Sequence, residues 1–186
     1  MRKHFFGEDG DTKWNERNLK NKFKNFIPHN IDIRNIDELK IIFKKYSSDI
    51  DLIIHTAAQP SHDWATKDPI LDFQVNANGT LNLLQLTNLF SKDAVFIFTS
   101  TNKVYGDKPN HLPFIELEHR WELESNHIFF KNGINETMSI DNATHSIFGA
   151  SKVAADIMTQ EYGKYFGIKT GVFRAGCLTG PFHSGV

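Results

Sequence analysis

Cysteine is almost absent: Cys177 stands alone in 186 residues. A single thiol closes no internal disulfide and cannot by itself build a zinc site, so a reducing compartment, the cytoplasm, is the expectation. An excess of one charge is also lacking, since Lys+Arg 21 against Asp+Glu 22 leaves a formal net charge of −1. With no basic field to concentrate nucleic acid or an anionic membrane, any anionic ligand has to be held locally. No apolar run reaches the roughly 18 residues of a membrane span, and the basic start Met1-Arg2-Lys3 leads into no apolar stretch of signal-peptide length. The histidines show no metal-ligand spacing, so no metal is expected. What remains is 40% hydrophobic and 23% charged, the composition of one soluble globular domain with a sizeable core rather than of a disordered or fibrous chain.

Residues 1–24 have no clear period and read as loop with one short helix. Phe26 to Ile33 then reads as a strand, and Asn35 to Tyr46 as a helix with Ile36, Leu39, Ile42 and Phe43 at helical spacing and Asn35 or Asp37 as cap. Asp51 to Thr56 is a short apolar run of the kind buried on both faces of a parallel sheet, ended by Ala57-Ala58-Gln59-Pro60. A helix follows from about Pro69 to Phe90, a strand from Ala94 to Thr99, and a long irregular stretch from Ser100 to Ser146. A further helix is predicted from about Gly149 to Phe166, with Ala154, Ile157, Met158, Tyr162 and Tyr165 as its apolar stripe. Gly167 marks its end, and a strand runs from Lys169 to Arg174. Alternating strands and helices imply an α/β fold, a parallel sheet covered on both faces that binds ligands at its strand carboxyl ends. A connection as long as 100–146 is usually functional, and substrate is expected beneath it. The sequons at Asn78, Asn135 and Asn142 are read as chance matches.

Four sites fall at the inferred strand ends. Asp32, followed by Ile33, offers a carboxylate that suits an adenine amine or equally a turn. In His55-Thr56-Ala57-Ala58-Gln59 two alanines leave room for a nucleotide against the backbone. Gly79, inside a helix, costs about 1 kcal/mol relative to alanine and implies a close packing need, with Asn76 nearby as a polar anchor. Finally Thr99-Ser100-Thr101-Asn102-Lys103-Val104-Tyr105-Gly106 at a strand end is paired with Phe148-Gly149-Ala150-Ser151-Lys152, where Phe148 and Lys152, four apart, share a helix face. His62, Asp63 and Trp64, on the loop after the second strand, are placed to touch sugar or base, Trp64 equally to pack.

With these motifs the chain resembles the extended short-chain dehydrogenase/reductase family, the NAD-dependent nucleotide-sugar epimerases and dehydratases. The stretches Ile54 to Trp64 and Ser100 to Asp107 look most like the branch that epimerises CDP-activated sugars. The resemblance implies a tightly held NAD that takes a hydride from a sugar carbon, giving a transient ketone, and returns it to the other face. It implies a tyrosine base acidified by a lysine four residues on, with a serine or threonine hydroxyl on the same oxygen. Thr101 matches that hydroxyl and Lys152 the lysine. Asp32, Ile33, Ala57, Ala58, Gln59, Asn76, Thr99 and Lys152 would line NAD, with Ala175 to Cys177 beside the nicotinamide. A nucleotide-sugar substrate follows, and a homodimer for the complete protein, with neither nucleic acid nor membrane as partner. Asn102 and Lys103 after the threonine favour an epimerase, because dehydratases commonly carry an acidic residue there.

Two departures stand out. The tyrosine position is Phe148, whose ring has no proton to exchange; Tyr105, Glu136 and His145 are candidate replacements, none at the family's helix position, and a nucleotide-binding chain without turnover is the alternative. Cys177 is read as a small buried residue. The family's opening strand, Gly-x-x-Gly-x-x-Gly turn and helix are also missing, since Gly7 and Gly10 follow no strand. Residues 1–186 are therefore expected to be one partial Rossmann-type doubly wound domain, lacking the first strand-helix-strand unit and the C-terminal substrate domain. Open strand edges predict an inactive chain that folds poorly alone.

Overall fold

The computed structural model describes residues 13–176 together with Gly7, Leu178 and Gly180; the readings made on Gly10, Cys177 and residues 183–186 lie outside them. The first helix, α1 (Lys13–Lys22), is polar apart from Trp14 and Leu19 and has no buried residue. Helix α2 (Ile36–Tyr46) starts where its cap dictates, the Asn35 side chain accepting from the Glu38 N–H at 3.2 Å, and it buries Leu39 and Phe43.

Strand β1 (Leu52–His55) is followed by a short helix α3 (His62–Lys67), so His62, Asp63 and Trp64 open a helix instead of lying on a loop. Ser61 causes this by capping the Trp64 N–H. The long helix expected from Pro69 is continuous but uneven: α4 (Pro69–Phe73), a wider π turn over Gln74–Asn78, and α5 (Gly79–Phe90). The Gly79 N–H reaches back five residues to the Gln74 carbonyl. Strand β2 (Val95–Thr99) follows, then a region that is not wholly irregular, since β3 (Phe114–Glu116) and β4 (Trp121–Leu123) pair antiparallel within it. Helix α6 (Ser146–Phe166) begins three residues before the expected start and ends on Gly167, whose φ of +72° and ψ of 23° are the left-handed cap that glycine favours. Strand β5 (Lys169–Phe173) closes the order.

The sheet is parallel, in the order β1-β2-β5, with His55 opposite Phe98 and Thr99 opposite Phe173. This is the expected α/β class, built by crossovers that carry the helices between strands. Two expectations are corrected. Residues 26–33 form no strand: no described strand lies beside them to take their hydrogen bonds, and Ile31 and Ile33 instead pack against the core. Nor is β1 buried on both faces, as Leu52 and Ile54 stay 53% and 61% exposed while Phe96 and Phe98 of β2 are sealed beneath the helices. The main core joins Leu39 and Phe43 of α2, Leu83, Leu84 and Leu86 of α5, Phe96 and Phe98, and Ala155 and Tyr162 of α6.

The stripe expected on α6 is rotated. Ile157 and Tyr165 are exposed, and the buried face is Phe148, Ser151, Lys152, Ala155, Asp156, Thr159 and Tyr162. Polar residues therefore occupy half of a core-facing surface, which apolar periodicity alone does not register. A second cluster, Val104, Tyr105, Leu123, Phe129 and Met138, seats the 100–146 segment against Val153 of α6. No described helix is long and apolar enough to cross a membrane.

Candidate functional site

The carboxyl ends of the three parallel strands are tied together. The Thr99 hydroxyl donates to the His55 carbonyl at 3.1 Å, and the Asn102 N–H donates to the Ala175 carbonyl at 2.8 Å. Thr101 sits where the chain leaves β2; its Oγ1 accepts from the Lys103 N–H at 3.2 Å and so caps the short 3-10 turn Asn102–Tyr105. Gly106 ends that turn at a φ of +62°, where a Cβ would lie 2.8 Å from that of Ala143.

Lys152 reaches these strand ends from α6. Only 4% exposed, its ammonium donates to the Thr99 carbonyl at 2.9 Å and lies 4.3 Å from the Phe98 ring centroid. Burial pushes its pKa down from 10.5 to about 8, against the pull of Asp156 and Asp72. An ammonium has three N–H donors, and the described residues take up one of them. The other two suit a pair of neighbouring hydroxyls on a ligand. One helical turn earlier Phe148 is also buried, with the His62 ring set edge-on against it at a centroid distance of 4.9 Å.

Behind Lys152 lies a buried polar network centred on Asp72. Its Oδ2 accepts from the Ser151 hydroxyl at 2.5 Å, and its Oδ1 from Gln59 Nε2 at 2.8 Å and Asn76 Nδ2 at 3.1 Å. Asn76 Oδ1 accepts from the Gln59 N–H at 2.9 Å, and Asn76 Nδ2 also approaches the Gln59 carbonyl and Ser151 Oγ at 3.1 and 3.0 Å. Asn76 is thus the polar anchor expected of it. The side chains of Gln59 and Asn76 are committed to the scaffold, and what they present outward is the held backbone after Ala57 and Ala58. A second network joins Asp156 to Ser100 at 2.5 Å and, through two hydrogen bonds, to Arg174 at 3.0 and 2.9 Å; Arg174 also donates to the Tyr105 hydroxyl at 3.2 Å. The Asp156 carboxylate raises the Arg174 pKa further above its ordinary value.

His55, at the end of β1, is buried against Phe98, and its Nε2 lies 2.9 Å from the Thr80 hydroxyl. Thr80 donates to the Asn76 carbonyl at 2.6 Å, so its oxygen is left to accept and His55 carries its proton on Nε2. Burial, and secondarily the Lys152 cation, lower the His55 pKa from 6.5 to about 4.

Asp32 and Ile33 are held against α5. The Ile33 side chain fills the space where a Cβ on Gly79 would lie 2.5 Å from its Cδ1, the packing need that a glycine in mid-helix implied. Asn82 Nδ2 donates to the Ile33 carbonyl at 3.0 Å. Ile33 therefore spends its side chain inside the fold. Asp32 binds Arg34 through both oxygens, at 2.8 Å for the shortest contact, and this hydrogen bonding holds its carboxyl below the usual range. Asp32 and Arg34 edge an open concavity of about 430 Å³ shared with Asn35, Gln74 and Asn78.

The fold thus brings Thr99 to Lys152, Gln59 to Asn76, and the Thr101 turn to Ala175. Thr101 hydrogen-bonds within its own turn and makes no hydrogen bond to Lys152. Among the candidate replacement groups, Tyr105 is buried with its hydroxyl on Arg174, His145 donates Nε2–H to the Val104 carbonyl at 3.0 Å, and Glu136 is exposed on the long segment. Sequence reasoning missed Asp72, Ser151, Asp156 and Arg174. The spacing of Asp72 and Asn76, one helical turn, was the only signal for the first; the separation of 79 residues between Asp72 and Ser151 hid their pairing. Among the described residues no cluster of three metal-ligating side chains exists.

The profile of the NAD dependent epimerase/dehydratase family matches residues 8–186. The chain is 35% identical over 149 residues to CDP-paratose 2-epimerase of Salmonella typhi, covering 80% of this chain and 41% of that protein. It is 30% identical over 169 residues to UDP-glucuronate 4-epimerase of Thermodesulfobacterium geofontis, covering 90% and 44%. Among solved structures, UDP-glucose 4-epimerase of Thermus thermophilus, in complex with NAD, superposes with a TM-score of 0.59 at 26% identity, over 82% of this chain and 43% of that one. The chain spans less than half the length of each of these relatives.

Proposed function

The chain belongs to the NAD dependent epimerase/dehydratase family, and from that premise we propose that it forms part of a nucleotide-sugar epimerase acting on a CDP-activated sugar of the CDP-paratose type. Residues 1–186 are in this reading part of its NAD-binding domain. The likeness to the Salmonella typhi enzyme supports the substrate class. The single observation that supports the chemistry is the Lys152 ammonium, buried at the strand ends with two N–H donors that no described residue takes up. Those donors fit the hydroxyl pair of the nicotinamide ribose.

NAD, when bound, supplies a hydride acceptor and then donor, so that a sugar carbon passes through a ketone and can invert. The residues of this chain hold the reactants. Ala57 and Ala58 leave the backbone after β1 open to the cofactor, while Gln59 and Asn76 keep that backbone in place from behind. Asp32 faces the adenine end, its acceptor strength already shared with Arg34. Thr99 orients Lys152, Ala175 follows the last strand beside the nicotinamide, and the Thr101 hydroxyl takes the family's position on the reacting oxygen. Phe148 closes the site with an apolar ring that moves no proton.

Calorimetric titration of NAD into the full polypeptide tests this. Wild type is expected to bind at least about tenfold more tightly than Lys152→Met, a difference of about 1.4 kcal/mol. Proton NMR of a CDP-paratose-type sugar with the same protein is expected to show the epimer growing in. Equal NAD binding by both proteins, or none by wild type, overturns the reading. Phe148 favours a second reading, a chain that binds nucleotide without turnover, and binding with no epimer would select it. Loss of water from the sugar would instead mark a dehydratase of the same superfamily.

A further inference from the structure

Phe148 cannot exchange a proton, but the side chain seated on it can. The His62 imidazole meets the Phe148 ring at 62° with centroids 4.9 Å apart. Its Nδ1 lies 3.1 Å from the Ser146 hydroxyl, and its Nε2 has no hydrogen-bond partner among the described residues. Ser146 is itself held: its Oγ accepts from the Gly149 N–H at 3.2 Å, and its φ of +63° is a left-handed backbone that a serine seldom adopts.

The placement of His62 is over-determined by the buried network. Gln59, bonded to Asp72 by its Nε2, accepts the Ser61 N–H on its Oε1 at 2.7 Å, and Ser61 caps the helix that His62 opens. On the other side of Asp72, Ser151 approaches the Phe148 carbonyl at 3.0 Å. One buried carboxylate thus sets both the turn that carries His62 and the turn that carries Phe148 and Lys152. Other groups near the amino end of α6 are committed elsewhere: His145 to Val104, Tyr105 to Arg174, and His55, fully buried, to Thr80.

We propose that His62 is the proton-exchanging catalytic residue of this site, its Nε2 serving where a phenolic oxygen at position 148 would. This rests on the epimerase reading above. Nε2 accepts only if it is unprotonated, so the neutral ring carries its hydrogen on Nδ1 and donates it to Ser146, a positioning residue. The sugar O–H bond breaks with its electron pair left on oxygen, an N–H bond forms at Nε2, and the hydride released from the same carbon has the nicotinamide cofactor as its acceptor. Return of hydride and proton restores the hydroxyl.

The first test needs no turnover. Nitrogen-15 NMR of the imidazoles in the full polypeptide at neutral pH is expected to show His62 as the Nδ1–H tautomer, shifted toward Nε2–H in Ser146→Ala, and to show its Nε2 resonance moving on addition of a CDP-sugar. The second reads kinetics: His62→Gln is expected to lower kcat by about 10²–10⁴-fold with KM little changed, and Phe148→Tyr added to it to recover at least about tenfold of the loss, as a phenol returns. An Nε2–H tautomer in wild type, or full kcat in His62→Gln, overturns the assignment while leaving the epimerase reading in place. A wild-type protein that binds a CDP-sugar and never epimerises it overturns both.

Discussion

Replacing Lys152 by methionine separates the stability of this fold from its function. The ammonium is 4% exposed, and its pKa falls from 10.5 to about 8 chiefly because burial penalises the charge. At about 1.4 kcal/mol for each tenfold loss of proton affinity, keeping the charged form inside destabilises the folded state by about 3 kcal/mol below pH 8. Between pH 8 and 10.5 the unfolded chain still binds the proton that the folded one has released, so wild-type stability rises with pH across that window and levels off above it. The methionine side chain has no charge to bury, but it leaves the Thr99 carbonyl without its donor, a loss of about 1 kcal/mol. Urea denaturation at pH 7 is therefore expected to show Lys152→Met more stable by about 2 kcal/mol, with the advantage gone by about pH 10.5. A variant less stable than wild type at pH 7, or a wild type whose stability is flat from about pH 8 to 10, would refute this account of the site as a strained, buried cation.

Three further outcomes follow from the same geometry. His55, with its pKa lowered from 6.5 to about 4, stays neutral in the fold while the unfolded chain protonates, so wild type is expected to lose up to about 3 kcal/mol as pH falls from 6.5 to 4; His55→Gln should lack this component in parallel acid titrations of stability. Gly79→Ala drives a Cβ to 2.5 Å from Ile33 Cδ1, and calorimetric melts should show a loss of about 1–3 kcal/mol, recovered in part by Ile33→Val, which removes that atom. Arg174→Met leaves the buried Asp156 carboxylate without the cation hydrogen-bonded to it and is expected to cost about 3–5 kcal/mol, most of it regained by adding Asp156→Asn. A loss below about 1 kcal/mol in chemical denaturation would show that Ser100 and Gln160 alone satisfy that carboxylate.

Much of the architecture was legible locally. Asn35 capped α2, Gly167 ended α6, and the apolar runs at residues 51–56, 94–99 and 169–174 became β1, β2 and β5, because caps and short buried strands depend on neighbours in sequence. Residues 26–33 have the composition of a strand but no described partner, and a strand exists only through the hydrogen bonds that another strand supplies. The buried face of α6 escapes apolar periodicity for a related reason: Ser151, Lys152, Asp156 and Thr159 are polar, and only their distant partners make burying them favourable.

At the candidate site, the chemistry on offer is written in residue types and their spacing. Lysine stands four residues after a ring that exchanges no proton, a threonine follows β2, and two alanines follow β1. These are properties of residue types and spacings along one helix or one strand. The tertiary structure decided what each side chain does, because contacts across dozens of residues set pKa, tautomer and orientation. It turned Gln59 and Asn76 inward around Asp72, gave Tyr105 to Arg174, and set the imidazole of His62 against Phe148, a pairing that spans 86 positions of the chain and leaves no trace in the pattern of either segment.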